Sequence, residues 1–289
     1  MDKEKAAYLS IISNFFLIIF KLTAGILIGS ISVISEAIHS SIDLLASFIA
    51  FFSIRKASKA EDDEHPFGYG KYENVSGFAE AILIFFAAAF IIIEAIKKII
   101  DGSSIDSVGL GLAVMFISSV VNLLISSKLM YVAKQTDSIA LEADALHLLT
   151  DVITTAGVFL GLLIVKLTGL KIIDSLTAIF VAFLIIKTSI DLTRRSLKDL
   201  VDSRLSDEDI NKIVEIITSH DEIKGYHRLR TRKSGQKKEI DIHLKLNESY
   251  SLTQAHNICS HIEQDIKHVF PNSYVLIHPE PFYTSLSNH

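Results

Sequence analysis

Six stretches of about 20 or more mostly apolar residues, near 6–28, 33–55, 76–98, 108–131, 139–165 and 173–193, constrain this chain more than any other feature. A helix of about 20 apolar residues crosses the hydrocarbon core of a bilayer, and it satisfies its own backbone groups while doing so. All six runs precede residue 200, and the sequence after it is charge-dense and poor in apolar residues. The expected organisation is therefore a polytopic α-helical membrane domain with six transmembrane helices over 1–203, followed by a water-exposed domain over 204–289. The apolar run that begins at Ala6 extends too far for a signal peptide and lacks a small-residue cleavage site, so it is read as the first membrane helix.

Orientation follows from the distribution of basic residues. With the amino terminus inside, the inner segments carry Lys3, Lys5, Arg55, Lys56, Lys59, Lys71, Lys128, Lys134, Arg194, Arg195 and Lys198. The outer segments carry Lys97, Lys98, Lys166 and Lys171. Eleven against four places both termini in the cytoplasm of a multi-pass inner (cytoplasmic) membrane protein. A formal net charge of -5 gives no reason to invoke nucleic acid, and the single Cys259 excludes an intramolecular disulfide or a multi-cysteine metal cluster.

Beyond Asp202 the pattern changes to that of a small soluble domain. Ser206 and Asp209 form a helix-cap signal, with Ile210, Ile213, Val214 and Ile217 at helical spacing behind it. Residues 226–232 and 239–246 alternate like strands joined by a turn at Ser234 and Gly235. A helix over 252–270 ends at Pro271, and 274–277 reads as a third strand. The order α-β-β-α-β predicts an α+β domain with helices on one sheet face.

Ionisable residues inside the apolar runs carry the functional signal, because charge in a bilayer is expensive. The second run holds Glu36, His39 and Asp43; the fifth holds Asp144, His147 and Asp151. Both follow one form: an acid, His three residues on, then Asp four residues after that. Spacings of three and four place these side chains on one helical face. Two such helices packed face to face offer two imidazoles and two carboxylates, a donor set suited to tetrahedral zinc; magnesium or calcium prefers an all-oxygen shell. Glu36 and Asp144 are read as lining the ion's path or lying nearer the water.

Over nearly its whole length the sequence resembles the cation diffusion facilitator family of metal–proton antiporters, including bacterial zinc and iron exporters. The resemblance is carried by the Gly29-Ser30 turn, the stretch from Glu36 to Asp43, the loop from Asp62 to Lys71, and the stretch from Ala143 to Asp151. It continues into the cytoplasmic domain. It implies a homodimer with a metallochaperone-like cytoplasmic domain, exporting a divalent metal while protons enter. The family's intramembrane ligands fall on His39, Asp43, His147 and Asp151. Its cytoplasmic ligands, implying structural zinc there, fall on His227, His243, His256, His278 and Glu280, and its interdomain pair falls on Lys71 and Asp202. The family's loop site is represented by Asp62 and His65, but Tyr69 occupies the second histidine position, which leaves that site incomplete.

Zinc is the expected cargo; a carrier mainly for iron(II), manganese(II), cobalt(II) or cadmium(II) is an alternative. A membrane-embedded metal sensor is another, although a sensor needs no ligands in mid-bilayer. Enzymatic use of the metal is disfavoured because four protein ligands fill a tetrahedral shell and leave no position for water.

Overall fold

The computed structural model of the protein describes residues 2–28, 31–101, 109–168 and 172–283. The Gly29-Ser30 turn lies outside the described residues. Six long helices come first: α1 (Lys3–Ile28), α2 (Ile31–Ala57), α3 (Lys71–Asp101), α4 (Gly109–Thr136), α5 (Ile139–Thr168) and α6 (Ile172–Leu200). They are followed by α7 (Asp207–Thr218), β1 (Ile223–Ser234), β2 (Lys237–Asn247), α8 (Leu252–Val269) and β3 (Ser273–Phe282). The chain divides into two compact units, Met1–Leu197 and Lys198–His289.

In the first unit, five helices contain a segment long and apolar enough to cross a membrane: Lys3–Leu27, Lys71–Ile100, Ala113–Thr136, Ile139–Leu160 and Ser175–Leu200. The remaining long helix, α2, is 27 residues long and carries Glu36, His39 and Asp43 in its first half. The helices outrun the apolar stretches because hydrogen bonding continues past the hydrocarbon: α3 begins at Lys71 and α6 reaches Leu200.

The distribution of side chains in this unit is that of a membrane protein. Its buried clusters are built largely on alanine, with Ala6, Ala7, Ala133, Ala140 and Ala145 in one and Ala81, Ala88, Ala143 and Ala182 in another. Ser10, Ser47, Ser118, Ser126, Ser189 and Ser196 are buried beside them, while Phe16, Leu27, Phe86, Phe90, Phe180 and Phe183 face outward. Lipid tails solvate large apolar side chains as well as the protein interior does, so helices associate through small residues that let backbones approach. Gly157 shows how close: a Cβ added there would lie 3.0 Å from a methyl of Val181 on α6.

A two-residue link joins α4 to α5. Asp137 adopts φ 48°, and the Ser138 N–H donates to the Ala133 carbonyl at 3.0 Å, a six-to-one bond that closes the C-terminus of α4. Ser138 then caps α5, accepting the Leu141 N–H at 3.5 Å on its hydroxyl oxygen. The same hydroxyl donates to Glu73, which also receives Lys3 Nζ at 2.5 Å. The buried Glu73 carboxylate thus ties α1 and α5 to the first turn of α3.

The second unit has the opposite kind of core. Ile213 and Ile217 of α7, Ile262 and Ile266 of α8, and Ile240, Ile242 and Leu244 of β2 fill it. The sheet order is β1-β2-β3, with β1 and β2 antiparallel and β2 and β3 parallel through α8. Ser206 and Ser251 cap the two helices, the latter in a capping box with Gln254. The hairpin turns at Gly235, whose φ of 59° favours a residue without a Cβ.

Asp137→Val places a β-branched residue in the left-handed conformation and should cost about 1–3 kcal/mol. Asp137→Gly should be neutral or slightly stabilising. Thermal unfolding of the two variants in detergent checks the difference; equal midpoints would show that the link carries no backbone constraint.

Candidate metal sites

In the membrane unit, α2 and α5 bring Asp43 and His147 together. His147 Nε2 lies 3.1 Å from Asp43 Oδ1, and both side chains are nearly inaccessible. His147 Nδ1 is buried without a hydrogen-bond partner among the described residues. Asp151, one turn further along α5, accepts a long 3.4 Å hydrogen bond from Asn122 Nδ2 of α4. The side chains of Glu36 and His39 lie outside the described residues.

Asp151 also lines a small cleft with Lys21, Met115, Ser118, Ser119, Asn122 and Thr155. The Ser118 hydroxyl and the Asn122 carbonyl oxygen are buried there without hydrogen-bond partners among the described residues. The cleft thus brings the Asp151 carboxylate and two oxygens with open lone pairs together with the Lys21 side chain.

Asp144 lies within electrostatic reach of His147 and Asp43. It is fully buried and accepts a 3.0 Å hydrogen bond from Ser47 Oγ, which in turn receives Asn14 Nδ2 at 2.8 Å and contacts Ser10 Oγ at 2.9 Å. Two further buried charged groups are not singled out by any spacing in the sequence. Glu80 of α3 is completely buried, accepts Ser76 Oγ at 3.3 Å and interacts electrostatically with Asp144 and His147. Lys21 of α1 is buried and donates to Ser40 Oγ at 2.7 Å. Lys21 is the single charge of its apolar run, and Glu80 lies 14 residues from the next charge in its own, Glu94.

The loop before α3 is held by its own side chains. Tyr69 Oη donates to Asp62 Oδ2 at 2.6 Å, and the His65 N–H donates to Asp62 Oδ1 at 2.8 Å. The His65 ring packs on Tyr69 with centroids 4.1 Å apart, and its Nδ1 is 3.8 Å from Asp62 Oδ1, beyond hydrogen-bond reach. Both Asp62 oxygens are therefore engaged within the loop.

In the second unit, His227, His243 and His278 form one row across the three strands, with His227 opposite His243 and His243 opposite His278. On β2, His243 alternates with the buried Ile242 and Leu244, so the row lies on the sheet face away from α7 and α8. Two irregularities in β1 place His227 there. Ile223 packs on the core opposite Leu246, and regular pairing would send His227 inward as well; the register shift between Ile223 and Gly225 turns it outward. A second shift between His227 and Arg230, with Arg228 at φ 51°, returns Thr231 to the inner side opposite Ile240.

Glu280 follows His278 on the same face and bridges the row. Its two oxygens lie 2.8 Å from His243 Nδ1 and 3.3 Å from His227 Nε2. The hydrogen bond from His243, with three imidazoles close by, holds the Glu280 carboxyl below its ordinary pKa. His227, His243 and Glu280 offer donor atoms mutually within 4.8 Å, and the His278 ring lies 4.6 Å from that of His243. His256 sits exposed on α8, in the helical layer, and is not part of this group. Asp202 accepts a 3.3 Å ion pair from Arg232, and Lys71 opens α3.

A multi-pass helical membrane unit with buried imidazole and carboxylate donors, joined to a soluble α+β unit with a second such group, defines a membrane carrier of metal cations. The cation efflux transmembrane domain profile matches residues 7–201, and the cytoplasmic domain profile of the cation efflux proteins matches residues 205–282. The chain belongs to this family, the cation diffusion facilitators, which are secondary transporters of divalent transition-metal cations and not enzymes. It is 31% identical over 265 residues to the cation-efflux pump FieF of Escherichia fergusonii, covering 92% of this chain and 88% of that one. It is 30% identical over 280 residues to protein p34 of Rickettsia rickettsii, covering 96% and 92%. A solved structure concerning the putative zinc transporter CzrB shares 25% identity over 27% of this chain and 99% of that one, with a TM-score of 0.27.

The hydrogen bond to Asp62 pushes the Tyr69 phenol up to about 12 and holds Asp62 below its ordinary value. The Tyr69 contribution is present below the free tyrosine pKa near 10 and is lost as pH rises through about 12. The Asp62 contribution is present above the free aspartate value near 3.9 and is lost as pH falls through its lowered pKa. A phenolate absorbance titration of wild type minus Tyr69→Phe should show one tyrosine ionising near pH 12. Ionisation near 10 would mean that the loop tie is absent.

Proposed function

We propose that the chain exports divalent transition metal from the cytoplasm, zinc first, in exchange for protons by alternating access through His39, Asp43, His147 and Asp151. The observation that carries this reading is the buried His147–Asp43 pairing between α5 and α2, with Asp151 beside a cleft of unsatisfied oxygens. Two imidazoles and two carboxylates match the donors that tetrahedral zinc takes at about 2.0–2.2 Å.

The same donors supply the coupling. An imidazole nitrogen bound to zinc holds no proton, while a metal-free one does so near neutral pH. In one state the groups carry the metal and in the other they carry protons, so each species displaces the other. Exposing the site alternately to the two sides then completes exchange. Membrane potential contributes about 2.3 kcal/mol per charge per 100 mV.

Around this core the reading takes α2 as a sixth span, places both termini in the cytoplasm, and locates the protein in the inner membrane as a homodimer. The membrane domain runs over 1–203 and the cytoplasmic domain over 204–289. His227, His243, His278 and Glu280 hold zinc that stabilises the cytoplasmic dimer, while His256 on α8 stands apart from them. Lys71 and Asp202 orient the two domains. Asp62 and His65 form at most a weak loop site, since Asp62 is engaged by Tyr69.

Asp43→Ala or Asp151→Ala should abolish zinc-dependent proton flux in proteoliposomes while leaving the protein folded, because each removes an anionic ligand in a medium of low dielectric. Near-normal flux in folded Asp151→Ala would sink the proposed site. Replacing His39 and His147 with Asp should shift preference from zinc towards manganese, as oxygen donors replace nitrogen. A competition assay with unchanged preference would locate selectivity elsewhere.

A further inference from the structure

A second group of metal-type donors lies in the helical layer of the cytoplasmic unit, apart from the histidine row on the sheet. His220 follows the C-terminal cap of α7, and His261 and Asp265 are one turn apart on α8. His220 Nε2 lies 3.1 Å from Asp265 Oδ2, and His261 Nε2 lies 3.4 Å from the same oxygen. The two imidazoles meet edge to face with centroids 5.5 Å apart, and the three donor atoms are mutually within 4.8 Å.

The hydrogen bonding of His220 makes this more than a charge pair. Its Nδ1 lies 2.8 Å from the Ile216 carbonyl, which only accepts, so that nitrogen carries the proton. The neutral ring then presents the lone pair of Nε2 to a carboxylate oxygen, and His261 aims a second nitrogen at that same oxygen. His261 can meet that oxygen with its own Nε2–H, but the His220 lone pair repels it unless a proton or a metal cation sits between them. Backbone support of the outer nitrogen is the usual companion of a metal-binding histidine.

The dimensions fit. Ligands at about 2.0–2.1 Å from a tetrahedral ion lie roughly 3.3–3.4 Å apart, and both nitrogen–oxygen separations are close to that. Closing the third edge needs only rotation of His261, whose side chain is 69% exposed. The C-terminus of α7 adds the negative end of its helix dipole. We infer that His220 Nε2, His261 Nε2 and Asp265 Oδ2 bind a zinc-type divalent transition metal, with water completing the shell, and that this ion fastens the end of α7 to α8. It is a site separate from both the transport site and the histidine row.

The test uses the full-length protein in detergent, stripped by chelator and dialysed against zinc. In a background carrying Asp151→Ala, His227→Ala and His243→Ala, about one zinc per protomer should remain. His261→Gln should weaken it at least tenfold, as three ligands become two. No zinc on the folded background, or zinc unaffected by combined His220→Gln and His261→Gln, would overturn the proposal and leave a His–Asp ion pair. In the otherwise wild-type chain, His261→Gln should lower the zinc count by about one per protomer with transport unchanged within about twofold. An unchanged zinc count there would overturn the proposal even if the multiple variant failed to fold.

Discussion

The membrane unit is governed by the scarcity of hydrogen-bond partners in hydrocarbon. Every buried polar group there must find a partner within the bundle or stand ready for one that arrives from outside. Most are satisfied by the small serines and asparagines lining the interfaces: Ser47 and Asn14 around Asp144, Ser138 on Glu73, and Ser126 Oγ donating to the Ala145 carbonyl at 2.7 Å. Several are left open among the described residues. His147 Nδ1, Ser118 Oγ and Asn122 Oδ1 are buried and unsatisfied near Asp43 and Asp151. Glu80 Oε2 and Asp144 Oδ2 are likewise buried and unsatisfied among the described residues.

The two units solve the packing problem in opposite ways. Where water is the solvent, the core is branched aliphatic, as between α7, α8 and β2, because burying those side chains drives folding. Where lipid is the solvent, large side chains face outward and alanine and serine fill the centre. Small, nearly featureless interfaces hold helices less by interlocking than by close approach, and this suits a unit whose proposed work requires helices to move past one another.

Much of this was legible in the sequence. The apolar runs located the long helices, and periodicity gave the order of elements in the soluble unit. The repeated acid–His–Asp spacing singled out α2 and α5, and the structure brings Asp43 and His147 into contact across them. What escaped did so for identifiable reasons. Glu80 and Lys21 belong to no repeated acid–His–Asp spacing, so burial is what distinguishes them. His220 and Asp265 are joined by folding and not by sequence proximity. The engagement of Asp62 by Tyr69 depends on a loop conformation that no local pattern encodes.

The two irregularities in β1 act together as a pair of cancelling frame shifts. Between them a few residues, His227 among them, are read on the opposite side of the sheet from their neighbours in sequence, and after them the strand resumes its former phase. The position of that histidine is therefore set by the length of chain on either side of it as much as by its own identity. Losing one residue from either flank would leave the composition of the strand almost unchanged, yet it would hand the imidazole to the hydrophobic core or turn the remainder of the strand inside out.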